Sequence, residues 1–320
     1  MKAIVMKDYG DSGVFEERNV DVPALNKHQV LVEIYATTAG SADQLVRSGA
    51  FREQLPLRFP HILGVEFAGV AAAIGSAVTQ IKAGDRVMGL IRSGGGYAEY
   101  AAVEEGALAV IPPAIPFVQA AALPASGLTA WQALFQYGKL QAGQRILIHA
   151  GAGGVGHLAV QLAKQHGAYV ITTARKDNHE FVRQLGADEI IDYTARDFAE
   201  ALSPADIVLD MVRDPIMDQK TGISRTELKN YAILKDGGTL ISLVNPLIAR
   251  QEKVRGIEAR FAFIEPNPYD LAALLQCVRE QKLQVHIDKV FPFSAQGVAE
   301  GHLHFDTKPK RGKTVIQRKE

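Results

Sequence analysis

Ile146-Leu147-Ile148-His149-Ala150-Gly151-Ala152-Gly153-Gly154-Val155-Gly156 is a short apolar run that breaks into a glycine turn and opens onto a helical stretch, Val155 to His166. Val155, Leu158, Ala159, Leu162 and Ala163 fall at helical spacing there, on one face suited to packing against a sheet, and Gly167 ends the helix. Glycines between a strand and a helix have a mechanism. Gly151 permits the tight turn, the missing side chain at Gly153 lets backbone approach a pyrophosphate, and Gly156 lets the helix close on the sheet. Amides left free at the helix start, those of Gly154 and Val155 among them, then face the anion. Taken alone, the same glycines also suit a tight turn with no ligand, so the surrounding sequence has to decide.

Outward from the turn, candidate strands Arg145 to His149, Tyr169 to Thr173, Glu189 to Asp192, Asp206 to Met211, Thr239 to Val244 and Arg260 to Ile264 alternate with helical stretches. That alternation predicts parallel βαβ units in a doubly wound sheet. From Met1 to Val118 the pattern differs. Short strands, Val30 to Tyr35, Gly64 to Ile74, Asp85 to Leu90 and Tyr97 to Val103, are separated by glycine, proline and aspartate. After Glu265 one strong helix, Tyr269 to Gln281, precedes short strands in the amino-terminal style. The expected organisation is an α/β chain in which a doubly wound parallel-sheet domain, 119–265, is inserted into a β-rich domain made of 1–118 and 266–320. A cleft between the two lobes would hold a ligand.

Composition narrows the function. The 35 basic residues balance 35 acidic ones, so no net field gathers nucleic acid or an anionic membrane surface. Charges or prolines interrupt every apolar run before the roughly 20 residues needed to cross a bilayer. Cys277 is the only cysteine, which rules out an intramolecular disulfide and a four-cysteine zinc cluster and suits a reducing cytosol. The expectation is a cytoplasmic protein with neither nucleic-acid nor membrane partners.

NAD enzymes place a carboxylate at the end of the second strand, where it accepts hydrogen bonds from the adenosine ribose and repels an added phosphate. Here that strand ends Thr172-Thr173-Ala174-Arg175-Lys176, with Ala174 at the acidic position. Arg175 as a bidentate partner and Thr173 as a hydroxyl donor suit the 2′-phosphate of NADPH. The alternative for Arg175 and Lys176 is a solvated pair of loop cations. Asp177 reads as the cap of the next helix, His179 to Leu185.

Further stations lie along the chain: Asp85-Arg86-Val87-Met88-Gly89, Gly95-Gly96-Tyr97-Ala98-Glu99-Tyr100, Ala122-Leu123-Pro124, Gly127-Leu128-Thr129-Ala130-Trp131 and Leu185-Gly186-Ala187-Asp188. With the glycine turn, they resemble the medium-chain dehydrogenase/reductase superfamily, in its zinc-free quinone oxidoreductase branch, nearly end to end. The resemblance implies a GroES-like catalytic domain, a Rossmann domain, NADPH, and a homodimer joined through the nucleotide-domain sheets. It also implies Thr129 near the nicotinamide, Tyr193 near the adenosine phosphate, Phe263 beside the cofactor's reactive end and Lys313 near the cofactor. By residue type alone, Tyr193 is equally a strand-end aromatic, Phe263 a core residue and Lys313 part of an exposed basic tail.

Zinc-bearing members of that superfamily carry a cysteine and a histidine as ligands where this chain resembles them at Gly40 and Val65, and neither replacement binds zinc. Without a metal the acceptor has to be electrophilic already, which favours a quinone or an activated alkene over a plain alcohol. Gly40 also stands where many relatives carry an asparagine that lines the nicotinamide site. Asp210-Met211-Val212-Arg213-Asp214-Pro215 and the polar stretch through Thr221 replace their glycine pair after the fourth strand, which implies a remodelled loop. No catalytic side chain follows from the sequence. Three readings stay open: an NADPH:quinone reductase, an NADPH-dependent reductase of enone or enal double bonds, and a non-catalytic NADPH-binding sensor. Asp43-Gln44-Leu45-Val46-Arg47 offers no tyrosine to protonate carbon, which favours the first.

Overall fold

Ile146, Leu147 and Ile148 are completely buried, as an apolar run must be in a parallel sheet covered on both faces. The computed structural model describes residues 1–54, 56–202, 204–218, 222–250, 253–307 and 311–319. It divides into two units, Thr129–Glu265 and the pair of segments Met1–Leu128 and Pro266–Glu320.

In Thr129–Glu265, the apolar run forms strand β1 (Arg145–Ile148) of a six-stranded sheet. The other strands are β2 (Tyr169–Thr173), β3 (Glu189–Ile191), β4 (Ala205–Asp210), β5 (Leu234–Ser242) and β6 (Glu258–Phe261). Their order is 3-2-1-4-5-6 and every neighbouring pair is parallel, the Rossmann arrangement. The order reverses between β1 and β4, and such a switch point opens a crevice at the carboxyl ends of the strands. Helix α1 (Gly156–Gln165) buries Leu158, Ala159, Leu162 and Ala163, as its spacing predicts, and also His157, Val160 and Gln161.

Two local expectations change here. Asp177 does not cap α2 (His179–Gln184), because a 3-10 turn, Lys176–Asn178, takes up Asp177 and brings Asn178 to the position before the helix. The stretch after β4 enters a short antiparallel pair, Ile216–Asp218 with Ile223–Ser224, and residues 219–221 lie outside the described residues. Beyond that pair comes α3 (Arg225–Ile233), opened by a capping box between Ser224 and Glu227.

The other unit is built around one long strand, Gln29–Ala39, which pairs antiparallel with Glu66–Ile74, Tyr100–Glu104 and the carboxyl-terminal Lys313–Gln317. Its amino-terminal segment runs past Val118, because the helix Phe117–Ala121 lies on Gln29–Ala39 and Glu66–Ile74. The carboxyl-terminal segment holds Pro268–Arg279 and a second helix, Ala295–Thr307, where the sequence reading has only short strands. Gly297 and Gly301 weaken the helical signal there. Tertiary contact demands them: a Cβ on Gly297 would lie 2.0 Å from Pro292 O, and one on Gly301 2.8 Å from Ile316 Cδ1. No helix of the described residues is long and apolar enough to cross a membrane.

Candidate functional site

At the end of β1, Ala150 carries the positive φ of the glycine turn, 51°. Thr173 holds it there. Its hydroxyl accepts the Ala150 N–H at 3.0 Å, and its carbonyl accepts the Gly151 N–H at 3.1 Å. Gly151 is therefore not needed for a left-handed φ. It is needed because a Cβ would fall 2.0 Å from Thr172 Oγ1 on β2. Gly156 serves the close approach of α1, since a Cβ there would lie 2.2 Å from Ala150 O. At Gly153 the nearest obstacle to a Cβ is Ala150 O at 3.2 Å, so protein packing only mildly restricts that position and space is left beside the turn. Gly154 and Val155 are half-buried, and among the described residues their amides have no partner. Two donors thus stand at the start of α1, where the helix dipole adds positive potential.

Thr173 and Tyr193 come together in a cavity of about 700 Å³ at the carboxyl ends of the strands, lined also by His149, Arg196, Met211 and Lys229. His149 is buried; its Nε2 lies 2.8 Å from Asn230 Oδ1 and its Nδ1 3.3 Å from Thr173 Oγ1. With Nε2 donating to Asn230, Nδ1 accepts from the Thr173 hydroxyl. Burial pushes the His149 pKa down to about 4, against a smaller opposing effect of Asn230, so the ring is neutral near pH 7. Thr173 thus orients the turn through its hydroxyl and its carbonyl.

Parallel pairing sets Thr173 opposite Ile191, so Arg175 and Tyr193 leave the sheet side by side, each two residues past that pair. Ala174 between them is buried and donates its N–H to Ile191 O at 3.0 Å. Arg175 and Lys176 are exposed, and Tyr193 is 53% exposed, leaving its ring available for stacking. Asp192 is held below the usual carboxylate range, first by the Thr194 hydroxyl and backbone N–H, with His179 and Arg175 adding smaller pulls.

Of the other candidate residues, Arg175, Gly151, Gly153, Gly154, Val155, Gly156, Thr129, Phe263 and Lys313 do not line this cavity. Thr129 is half-buried in the helix Pro124–Trp131. Phe263 is 56% exposed and so not core; the Tyr137 hydroxyl donates to its carbonyl at 2.9 Å and accepts its N–H at 3.2 Å. Lys313 is no exposed tail. It is buried, with Nζ 2.5 Å from Glu66 Oε1 and 2.9 Å from Ser126 Oγ, so its charge is neutralised inside its own unit. Glu66 also accepts from the Thr38 hydroxyl at 2.5 Å and from the Ala125 N–H at 2.8 Å. Sequence reasoning missed that network, whose charged partners stand 247 positions apart. It also missed His149 and Arg196 in the cavity, although Arg196 follows Tyr193 closely on one loop.

Residues 26–113 match the family model described as the alcohol dehydrogenase GroES-like domain, and residues 185–316 match the one described as zinc-binding dehydrogenase. The chain is 34% identical to the chloroplastic NADPH-dependent alkenal/one oxidoreductase of Arabidopsis thaliana, across 99% of this chain and 79% of that protein. It is 39% identical to the chloroplastic quinone-oxidoreductase homolog of Spinacia oleracea, across 66% of this chain and 67% of the relative. The structure of the quinone oxidoreductase from Coxiella burnetii matches with a TM-score of 0.88 at 34% identity, covering 99% of both chains. This chain belongs to the medium-chain dehydrogenase/reductase superfamily, in its quinone oxidoreductase-like branch.

Gly40 and Val65 stand, by resemblance, where zinc-bearing members of the superfamily carry ligands. Gly40 opens the helix Ser41–Arg47, with its N–H 3.3 Å from Asp43 Oδ2, and has no ligating side chain. Val65 has none either, and the neighbouring Glu66 is taken up by Lys313. Among the described residues, no three His, Cys, Asp or Glu side chains are grouped as a metal requires. Crowding does not impose glycine at position 40, since a Cβ there would meet only Asp43 Oδ2, at 3.9 Å.

Proposed function

We propose that this chain is a zinc-independent, NADPH-dependent reductase of quinones. One observation carries the coenzyme choice: Ala174 stands where an NAD enzyme has its carboxylate, with the exposed Arg175 following it. In this reading the diphosphate lies on the amides of Gly154 and Val155, the adenosine enters the cavity beside Tyr193, and Arg175 grips the 2′-phosphate. Thr129 and Phe263 keep their assignment to the nicotinamide end by likeness to the superfamily, whereas Lys313 is withdrawn from the coenzyme and serves Glu66. The nicotinamide supplies a hydride to an acceptor that is already electrophilic. The protein binds and orients, and no metal ligand is needed.

Relatives named for quinones and an NADPH-dependent alkenal/one oxidoreductase support this reading. The second name also favours reduction of an enone or enal double bond as the alternative. A homodimer is part of the proposal, because β6 is an outer strand of its sheet and offers an edge to a second copy. The single cysteine supports a reducing compartment, the cytosol being the simplest.

The test is NADPH oxidation with a panel of quinones and of enones, run with and without a strong chelator. Turnover of quinones, unchanged by the chelator, is expected. Coenzyme binding without oxidation by any acceptor would make the protein a sensor instead, and loss of activity on chelation would remove zinc independence.

A further inference from the structure

The cavity lining contains a cation that the reading above does not use. Arg196 is exposed on the loop after β3, and among the described residues its guanidinium has neither a hydrogen-bond nor an ion-pair partner. The other cation of the lining, Lys229, lies 2.5 Å from Asp197, which also accepts the Ala199 N–H at 3.0 Å. Lys229 and Asp197 offset each other, and His149 is neutral. Arg196 therefore carries the uncompensated charge of the described lining, and a concave site with one such charge selects an anion.

Asp192 sets where that charge sits. Its carbonyl accepts the Arg196 N–H at 2.9 Å and the Ala195 N–H at 3.1 Å, folding the loop back onto the end of β3. One of its carboxylate oxygens, Oδ1, is occupied by Thr194, through the N–H at 3.0 Å and the hydroxyl at 2.6 Å. Arg175 lies across from it at the end of the paired β2. A phosphomonoester carries roughly −1.5 to −2 charges near pH 7, more than one guanidinium offsets, and Asp192 adds a further negative charge close by. A second cation is required for balance, and of the exposed Lys176 and Arg196 it is Arg196 that lines the cavity.

We propose that Arg196 is a second phosphate-binding residue, closing from this cavity on the 2′-phosphate of the dinucleotide together with Arg175, which stands at the end of β2 outside the cavity lining. The inference rests on the NADPH reading and adds a specificity-determining residue to it. Each guanidinium contributes charge-assisted hydrogen bonds available to NADPH and absent with NADH. Because Arg196 is exposed and unpaired, its replacement leaves no buried partner behind.

Fluorescence titration of the chain with NADPH and NADH, in wild type, R175Q and R196Q, tests this. The NADPH-to-NADH affinity ratio is expected to fall about tenfold or more in R196Q, and the dependence of NADPH affinity on salt to become shallower. A fall in R196Q alone also supports the proposal and removes Arg175. A fall confined to R175Q overturns the part given to Arg196 while the NADPH reading stands. No preference for NADPH in the wild type overturns both, and a wild-type preference unchanged in either variant overturns the two-arginine clamp.

Discussion

Asp210 closes β4 with one carboxylate oxygen bonded to the Val212 N–H at 3.0 Å and the other buried without a partner among the described residues. Burial pushes its pKa up to about 7; the Val212 bond pulls back, and Glu227 and Asp214 push further upward. The native protein thus keeps a proton on Asp210 between about pH 4 and 7, where the unfolded chain has lost it, so this residue subtracts stability as pH rises through that window. D210N should remove the effect, since an amide keeps the acceptor for Val212 and carries no charge. Urea denaturation from pH 4 to 8 should show D210N gaining on wild type up to pH 7, by an amount on the order of 3 kcal/mol, and level thereafter. Curves that stay parallel would contradict this. Such a carboxylate is invisible in sequence, where it reads as an ordinary strand end. The same holds for Lys313 and Glu66, which meet only because the carboxyl-terminal strand returns beside Gln29–Ala39. That Ala174 and Arg175 directly follow β2 was legible, because a strand end is a local feature. The contact of Thr173 with His149 was hidden, because His149 lies on another strand end.

Elements declare themselves when their signal is periodic and local. The span Tyr169 to Thr173 reads as a strand and is one, and the apolar spacing of Val155 to His166 marks α1. Ala295–Thr307 fails that test because Gly297 and Gly301 are there for contact with other elements, against local propensity. Propensity alone says that G297A should stabilise the helix by about 1 kcal/mol. The structure says the opposite, because the new Cβ would meet backbone, Pro292 O, at 2.0 Å. A net loss of roughly 1 to 3 kcal/mol is expected from urea denaturation, and a gain would mean that helix and strand separate at little cost. The edge of the nucleotide unit was also hidden from the sequence, because the alanine-rich style begins at Phe117–Ala121, a helix that packs on the β-rich unit.

At the scale of the whole molecule, motif order along the chain made the α/β organisation and the superfamily legible, while side-chain pairing across strands was not. With 35 basic and 35 acidic residues, no overall field draws a dinucleotide in. In the proposed reading, recognition comes from placed groups: the amides at the start of α1, Arg175, Arg196 and the missing carboxylate at Ala174. Placed charges on an exposed loop are screened by salt, so coenzyme preference should be strongest at low ionic strength. Calorimetric titration of the wild-type protein with NADPH and with NADH at two salt concentrations measures this directly. NADPH should bind at least about tenfold more tightly, with the gap narrowing at high salt. Equal affinities for the two coenzymes, or binding of neither, would contradict the account.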